Sequence, residues 1–74
     1  MATTFFVRWH PDTLVPLLLF RQIEHEGRIT HTLWSGTAWI PTRRLVFYLL
    51  DAEVYIDQVP AAEARGYFPA AFAA

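Results

Sequence analysis

The 74-residue sequence has no cysteine, no lysine, only three glycines and no long apolar run. Without cysteine there is no disulfide framework, thiolate zinc site or cysteine nucleophile. Without lysine there is no Schiff-base or amine nucleophile. The glycines, at 27, 36 and 66, are isolated, so no phosphate-cradling loop is written into the chain. The longest apolar stretches, 17–20 and 45–50, fall far short of the roughly 20 residues that cross a bilayer. The opening MATTFFVRWH has no basic region ahead of an apolar one, so a secretory signal is not expected and a cytoplasmic protein is.

What is present suffices for a core. Apolar residues make up 54% of the chain and aromatics 16%, enough for one domain near the lower size limit for a single apolar core. All basic residues are arginine, which with the many alanines suggests a GC-rich genome. Net charge is −1 but unevenly spread. Residues 1–44 carry Arg8, Arg21, Arg28, Arg43 and Arg44 against Asp12, Glu24 and Glu26, whereas residues 45–74 set Arg65 against Asp51, Glu53, Asp57 and Glu63. The plain reading is that the two halves complement each other within the fold; the alternative is a partner-facing surface.

Residues 3–10 alternate, with Phe5, Val7 and Trp9 on one face and Phe6, Arg8 and His10 on the other: a strand stopped by Pro11-Asp12. Pro16 suits the start of the next strand, where a missing N–H is tolerated. Glu26-Gly27 marks a turn. A three-residue loop, His25-Glu26-Gly27, sets Ile23 opposite Ile29, Arg21 opposite His31 and Leu19 opposite Leu33, collecting the aliphatic residues on one face. A two-residue loop would pair Ile23 with Thr30 and mix the faces, so the longer loop is expected. Gly36-Thr37 makes the next turn and brings Trp34 opposite Trp39 and Leu33 opposite Ile40, an aromatic pair that fixes register.

Residues 42–51 read either as a helix capped by Thr42, with Leu45, Tyr48 and Leu49, together with Val46 and Leu50, forming an inward apolar face, or as a strand in a further hairpin. Pro60 opens a second helix with Glu63 in its first turn; Gly66 ends it, and the tail from 69 to 74 is expected to fray.

The order W-x-G-x-x-W-x-P (Trp34, Gly36, Trp39, Pro41), then Leu45 and Leu49-Leu50, then YIDQVPAAEA over 55–64, resembles a pattern in small uncharacterised proteins of actinobacteria and their phages. In that pattern a tryptophan hairpin leads into a helix, and a short acidic extended segment precedes a second helix start. Here Pro60 stands where the family's capping serine would be, which departs from it. The resemblance covers about the last half of the chain, implies a helix over 42–51, and brings no catalytic residues with it.

No constellation carries catalysis. His10, His25 and His31 lie on separate segments without metal-ligand spacing, so no metal and no cofactor is expected. Ser35 lies in a turn with no nucleophile-elbow context. Arg21 falls on the expected apolar face and calls for a carboxylate partner, Asp51, Glu53 or Asp57. The chain is therefore read as α+β: an antiparallel sheet of three to four strands (about 3–9, 17–24, 28–34 and 38–40) with two short helices, near 42–51 and 60–67, packed on one face. Phe6, Phe20, Trp34 and Phe68 are more aromatic side chains than one small core can absorb, which points to an association surface. The expected function is a non-catalytic interaction protein, a phage or mobile-element accessory that binds a bacterial host protein, using Phe20, Trp34, Trp39, Arg28, Arg43 and Arg44. A second copy meeting an edge strand is the simplest partner. The alternatives are a module that stacks single-stranded nucleic acid on the same aromatics, against which the net charge weighs, and a purely self-associating structural protein.

Overall fold

A computed structural model describes residues 1–73. The elements in chain order are β1 (Ala2–Trp9), β2 (Pro16–His25), β3 (Arg28–Trp34), β4 (Trp39–Pro41), α1 (Arg44–Leu50), β5 (Ile56–Val59), α2 (Ala61–Tyr67) and a 3-10 helix (Pro69–Phe72). The class is α+β, and the sheet has five antiparallel strands in the order β4-β3-β2-β1-β5. This is one strand more than the three to four expected, and it falls in the segment that the resemblance implies to be extended. It pairs Phe5 with Val59 and Val7 with Asp57, which makes β5 the outer neighbour of β1.

The β2–β3 turn overturns the expected register. His25 pairs with Arg28, Ile23 with Thr30, Gln22 with His31, and Phe20 with Leu33. The loop is therefore the two residues Glu26 and Gly27, both at positive φ (52° and 75°), the left-handed pair whose twist matches that of the flanking strands. Directly opposed residues share a face, so Ile23 and Ile29 lie on opposite sides of the sheet. The expected segregation of all aliphatic residues to one side fails here. So does the Arg21–His31 pairing: Arg21 faces Thr32.

This register works because both faces are covered. Val7 pairs with Leu19 and packs with Val59 beneath Ala64 of α2, joined by Phe5, Trp9, Trp34, Trp39, Phe68 and Phe72. On the other face Phe20 and Leu33 pack with Leu45 of α1, joined by Phe6, Leu18, Tyr48 and Ile56. The two helices thus sit on opposite faces, not on one as expected. The alternation in β1 and β2 supplies apolar residues to both sides, and each side needs its own cover.

Residues 44–50 take the helical alternative. The helix starts one residue later than expected, with Arg43 at its N-cap, yet the Thr42 hydroxyl still accepts the Arg44 N–H at 3.1 Å. Proline at 60 fits the extended N-cap position of α2 (φ −62°, ψ 153°), and the helix runs through Gly66 to Tyr67. The segment expected to fray instead forms the 3-10 helix and places Phe72 5.1 Å from Phe5, ring centre to ring centre. Residue 74 of that tail lies outside the described residues. No helix among the described residues is long and apolar enough to cross a membrane.

Candidate functional site

Of the sequence-chosen interaction residues, Trp34 and Trp39 meet, but the set does not form one surface. Phe20 is fully buried under α1, closed off from any partner. Trp34 lies on the opposite face, half-buried and paired with Trp39 at 5.4 Å between ring centres. That tryptophan pairing, and Leu33 opposite Ile40, are as expected. The loop between them is held by Ser35, whose backbone N–H donates to the Ala38 carbonyl and whose Oγ accepts the Thr37 and Ala38 N–H groups. Phe6 and Phe68 are packed against the two cores, so the surplus of aromatics is absorbed by a second core. Arg28, Arg43 and Arg44 are exposed. A continuous aromatic–arginine platform for single strands is therefore not assembled.

Arg21 finds an aromatic ring where a carboxylate was expected. Its guanidinium lies 4.2 Å from the centre of the Trp39 ring and its Nε donates to Thr32 Oγ1 at 3.3 Å. Burial lowers its pKa from the ordinary arginine value. Among the described residues the contact at salt-bridge distance is His25 Nε2 to Glu26 Oε1 at 3.8 Å, and none involves Arg21.

The histidines serve separate local roles. The His10 ring accepts the Asp12 and Thr13 N–H groups on Nδ1 and shapes the β1–β2 turn. His25 lies at the hairpin, and His31 Nε2 meets Gln22 Oε1 at 2.9 Å. Among the described residues no three His, Asp or Glu side chains gather as a metal site would need.

A different surface stands out. β4 pairs only with Thr32, Leu33 and Trp34, so β3 runs on past it as an uncovered edge. His25–Arg28 closes the hairpin, and antiparallel pairs alternate in hydrogen bonding. The N–H and C=O of Ile29 and His31 therefore point away from β2. The His31 carbonyl confirms this direction by accepting the Thr42 N–H at 3.1 Å. Beside this edge lies a groove of about 340 Å³ lined by Ile29, His31, Thr42, Arg43, Val46 and Phe47. Its apolar walls face water: Phe47 is 67% exposed, Ile29 57%, and Leu50 on the same helix 81%. Periodicity had put Val46, Leu49 and Leu50 inward, but α1 buries only Leu45 and half of Tyr48. An open edge offers backbone hydrogen bonds and the groove offers side-chain pockets, the two things an added strand uses. The sequence signal was available: LVFYLL is apolar all round, more than one face of a seven-residue helix can bury.

A second, smaller pocket of about 230 Å³ lies at the other edge of the sheet, lined by Trp9, Leu14, Tyr55 and Asp57. Leu14 holds a left-handed backbone (φ 57°), tied by its N–H to the His10 carbonyl at 2.9 Å. The strained turn leaves its side chain 63% exposed over the pocket. The buried indole N–H of Trp9 has no hydrogen-bond partner.

Compared with protein-family models, curated proteins and solved structures, the chain matches none.

Proposed function

We propose that this chain is a non-catalytic interaction protein that takes an extended segment of a partner protein onto the free edge of β3. The observation that carries the reading is the coincidence of an unpaired strand edge at Ile29 with the apolar groove bounded by Val46 and Phe47. Uncovered edges invite strand addition, and most folds blunt them with lysine, proline or a covering segment. Here the stretch of edge at Arg28–His31 has none of these except the Thr42 contact. Exposed apolar residues adjoining it are the usual mark of association. Together with the resemblance to small proteins of actinobacteria and their phages, this supports a phage or mobile-element accessory that acts on a bacterial host protein within the cytoplasm.

The test is capture from an actinobacterial lysate with the wild type, Phe47→Glu and Ile29→Pro side by side, after circular dichroism shows that each variant is folded. Phe47→Glu charges the groove, and Ile29→Pro removes an N–H that points away from β2. The reading requires proteins retained by the wild type and lost by both variants. Identical retention by all three sinks it. A mass that doubles with concentration in the wild type but not in Phe47→Glu would make the occupant a second copy.

A further inference from the structure

The pocket at the opposite edge of the sheet has a chemistry of its own. Two of its walls are aromatic, Trp9 and the half-exposed Tyr55; a third is the exposed Leu14; and its one charged group is the Asp57 carboxylate. Tyr67 stands edge-on to Trp9, ring centres 5.0 Å apart, and fixes the indole in place. Asp57 lies on β5 opposite Val7, on the same face as Trp9, and no cation among the described residues pairs with it. An anionic group beside aromatic rings attracts a cation carried on an apolar stem, because ring quadrupole and carboxylate act in the same direction.

The rest of the molecule shows which cation suits such surfaces. Four of its own arginines sit over aromatic rings: Arg8 and Arg44 over Tyr48 at 4.6 and 5.6 Å, Arg21 over Trp39 at 4.2 Å, and Arg65 over Phe72 at 5.5 Å. Among the described residues no arginine lies over Trp9 or Tyr55. A planar guanidinium can stack on a ring and also present a flat edge to a carboxylate, which an ammonium cannot. Size selects the source. At about 230 Å³ the pocket lies below the roughly 300–1,000 Å³ of sites that enclose a free small molecule, and it is open on one side. It has room for one side chain.

We propose that the Trp9–Tyr55–Asp57 pocket receives an arginine side chain of a partner polypeptide, stacked against the aromatic walls with its guanidinium at Asp57. This site lies on the opposite face and at the opposite edge from the β3 groove, and it stands or falls independently of it.

The probe is a blocked pentapeptide, acetyl-Gly-Gly-Arg-Gly-Gly-amide, added to the whole chain while the three indole N–H resonances are followed by NMR. The same peptide with citrulline in place of arginine is the neutral control, and agmatine is the free-cation control. Expected is a saturable shift of the Trp9 indole resonance with Trp34 and Trp39 unmoved, no saturable shift with citrulline, and weakening as salt rises. Asp57→Asn should weaken binding by about threefold or more, within the range for a partly exposed ion pair. Tyr55→Ala, which removes an exposed wall, should weaken it comparably. Neither side chain is in a core cluster, so an unchanged remainder of the spectrum will show that both variants are folded. Equal response to citrulline, undiminished binding by Asp57→Asn, tighter binding of agmatine than of the peptide, or no saturable shift would each overturn the assignment.

Discussion

The guanidinium of Arg21 lies 4.2 Å from the centre of the Trp39 ring and within hydrogen-bond reach of Thr32, and no carboxylate among the described residues pairs with it. The half-buried arginine thereby rests its charge on a π face. Arg21→Ala should lower stability by about 0.5–2 kcal/mol, from lost packing and the lost cation–π contact. Arg21→Met, which keeps the stem, should recover part of that loss. Urea midpoints measure both. Neutralising Asp51, Glu53 or Asp57 singly should leave stability within about 0.5 kcal/mol, since none of them holds Arg21. A larger loss on neutralising any one would restore the salt-bridge reading.

Tyr67 donates its hydroxyl hydrogen to Glu63 Oε1 at 2.9 Å, one helical turn away. That hydrogen bond, with some burial and the nearby carboxylate charge, raises the phenol's pKa above the ordinary tyrosine value. The folded chain therefore favours the neutral phenol, while the unfolded chain loses its proton first. The resulting stabilisation is present below about pH 10, the unperturbed value, and is lost as pH rises through the raised one. Near-ultraviolet titration should show one of the three tyrosines ionising late. Tyr67→Phe should remove that late phase, and Glu63→Gln should move it down.

Much of the architecture was legible in local signals. Proline at 16 and 60 and the two tryptophans facing each other across 35–38 appear where the residues imply them, and a turn does form at Glu26-Gly27, but with two loop residues where three are expected. The error lay in one premise, that the sheet has a single covered face. Under it, pairing Ile23 with Thr30 looked like a fault, Phe20 looked like a spare aromatic, and both helices were assigned to one side. With two covered faces, Phe20 belongs to the α1 core and Ile29 is left over at an edge. Parity within a strand separates its residues into two sets, but whether one or both sets are buried depends on elements distant in sequence. β5 differs for the same reason: the residues before Pro60 read as an extended segment, but their pairing is with β1, distant in sequence, and not with a strand over 45–50. The apolar excess of LVFYLL is legible in the sequence, but which of its residues face the groove follows from the packing of α1, which buries Leu45 alone.

The hairpin turn contains an optimisable residue. Glu26 and Gly27 both occupy the left-handed region, which glycine enters freely and glutamate does not. Glu26→Asn converts the loop to Asn-Gly, the pair most favoured for this turn, and should stabilise by about 0.5–1 kcal/mol. Gly27→Ala meets no neighbouring atom within 4 Å, so its cost, about 1 kcal/mol, would come from backbone strain alone. Thermal midpoints should therefore move in opposite directions for adjacent substitutions. A three-residue loop with glutamate in right-handed geometry predicts no gain from Glu26→Asn.

Two phenylalanines separate core from surface. Phe20 is fully buried with Leu33 and Leu45, its ring edge-on to Tyr48 at 5.8 Å, whereas Phe47, one position before Tyr48, is 67% exposed. Phe20→Ala should cost about 3–5 kcal/mol, the usual range for emptying an aromatic site in a core. That approaches the whole stability expected of so small a domain, so the variant should be largely unfolded at room temperature. Phe47→Ala should change stability by no more than about 0.5 kcal/mol. Leu45→Ala, which opens the same core from the helix side, should cost about 2–5 kcal/mol and provides a second measure if Phe20→Ala cannot be purified. Equal sensitivity at Phe20 and Phe47 in chemical denaturation would mean that α1 packs through a different face, and the groove beside β3 would then lose its Phe47 wall.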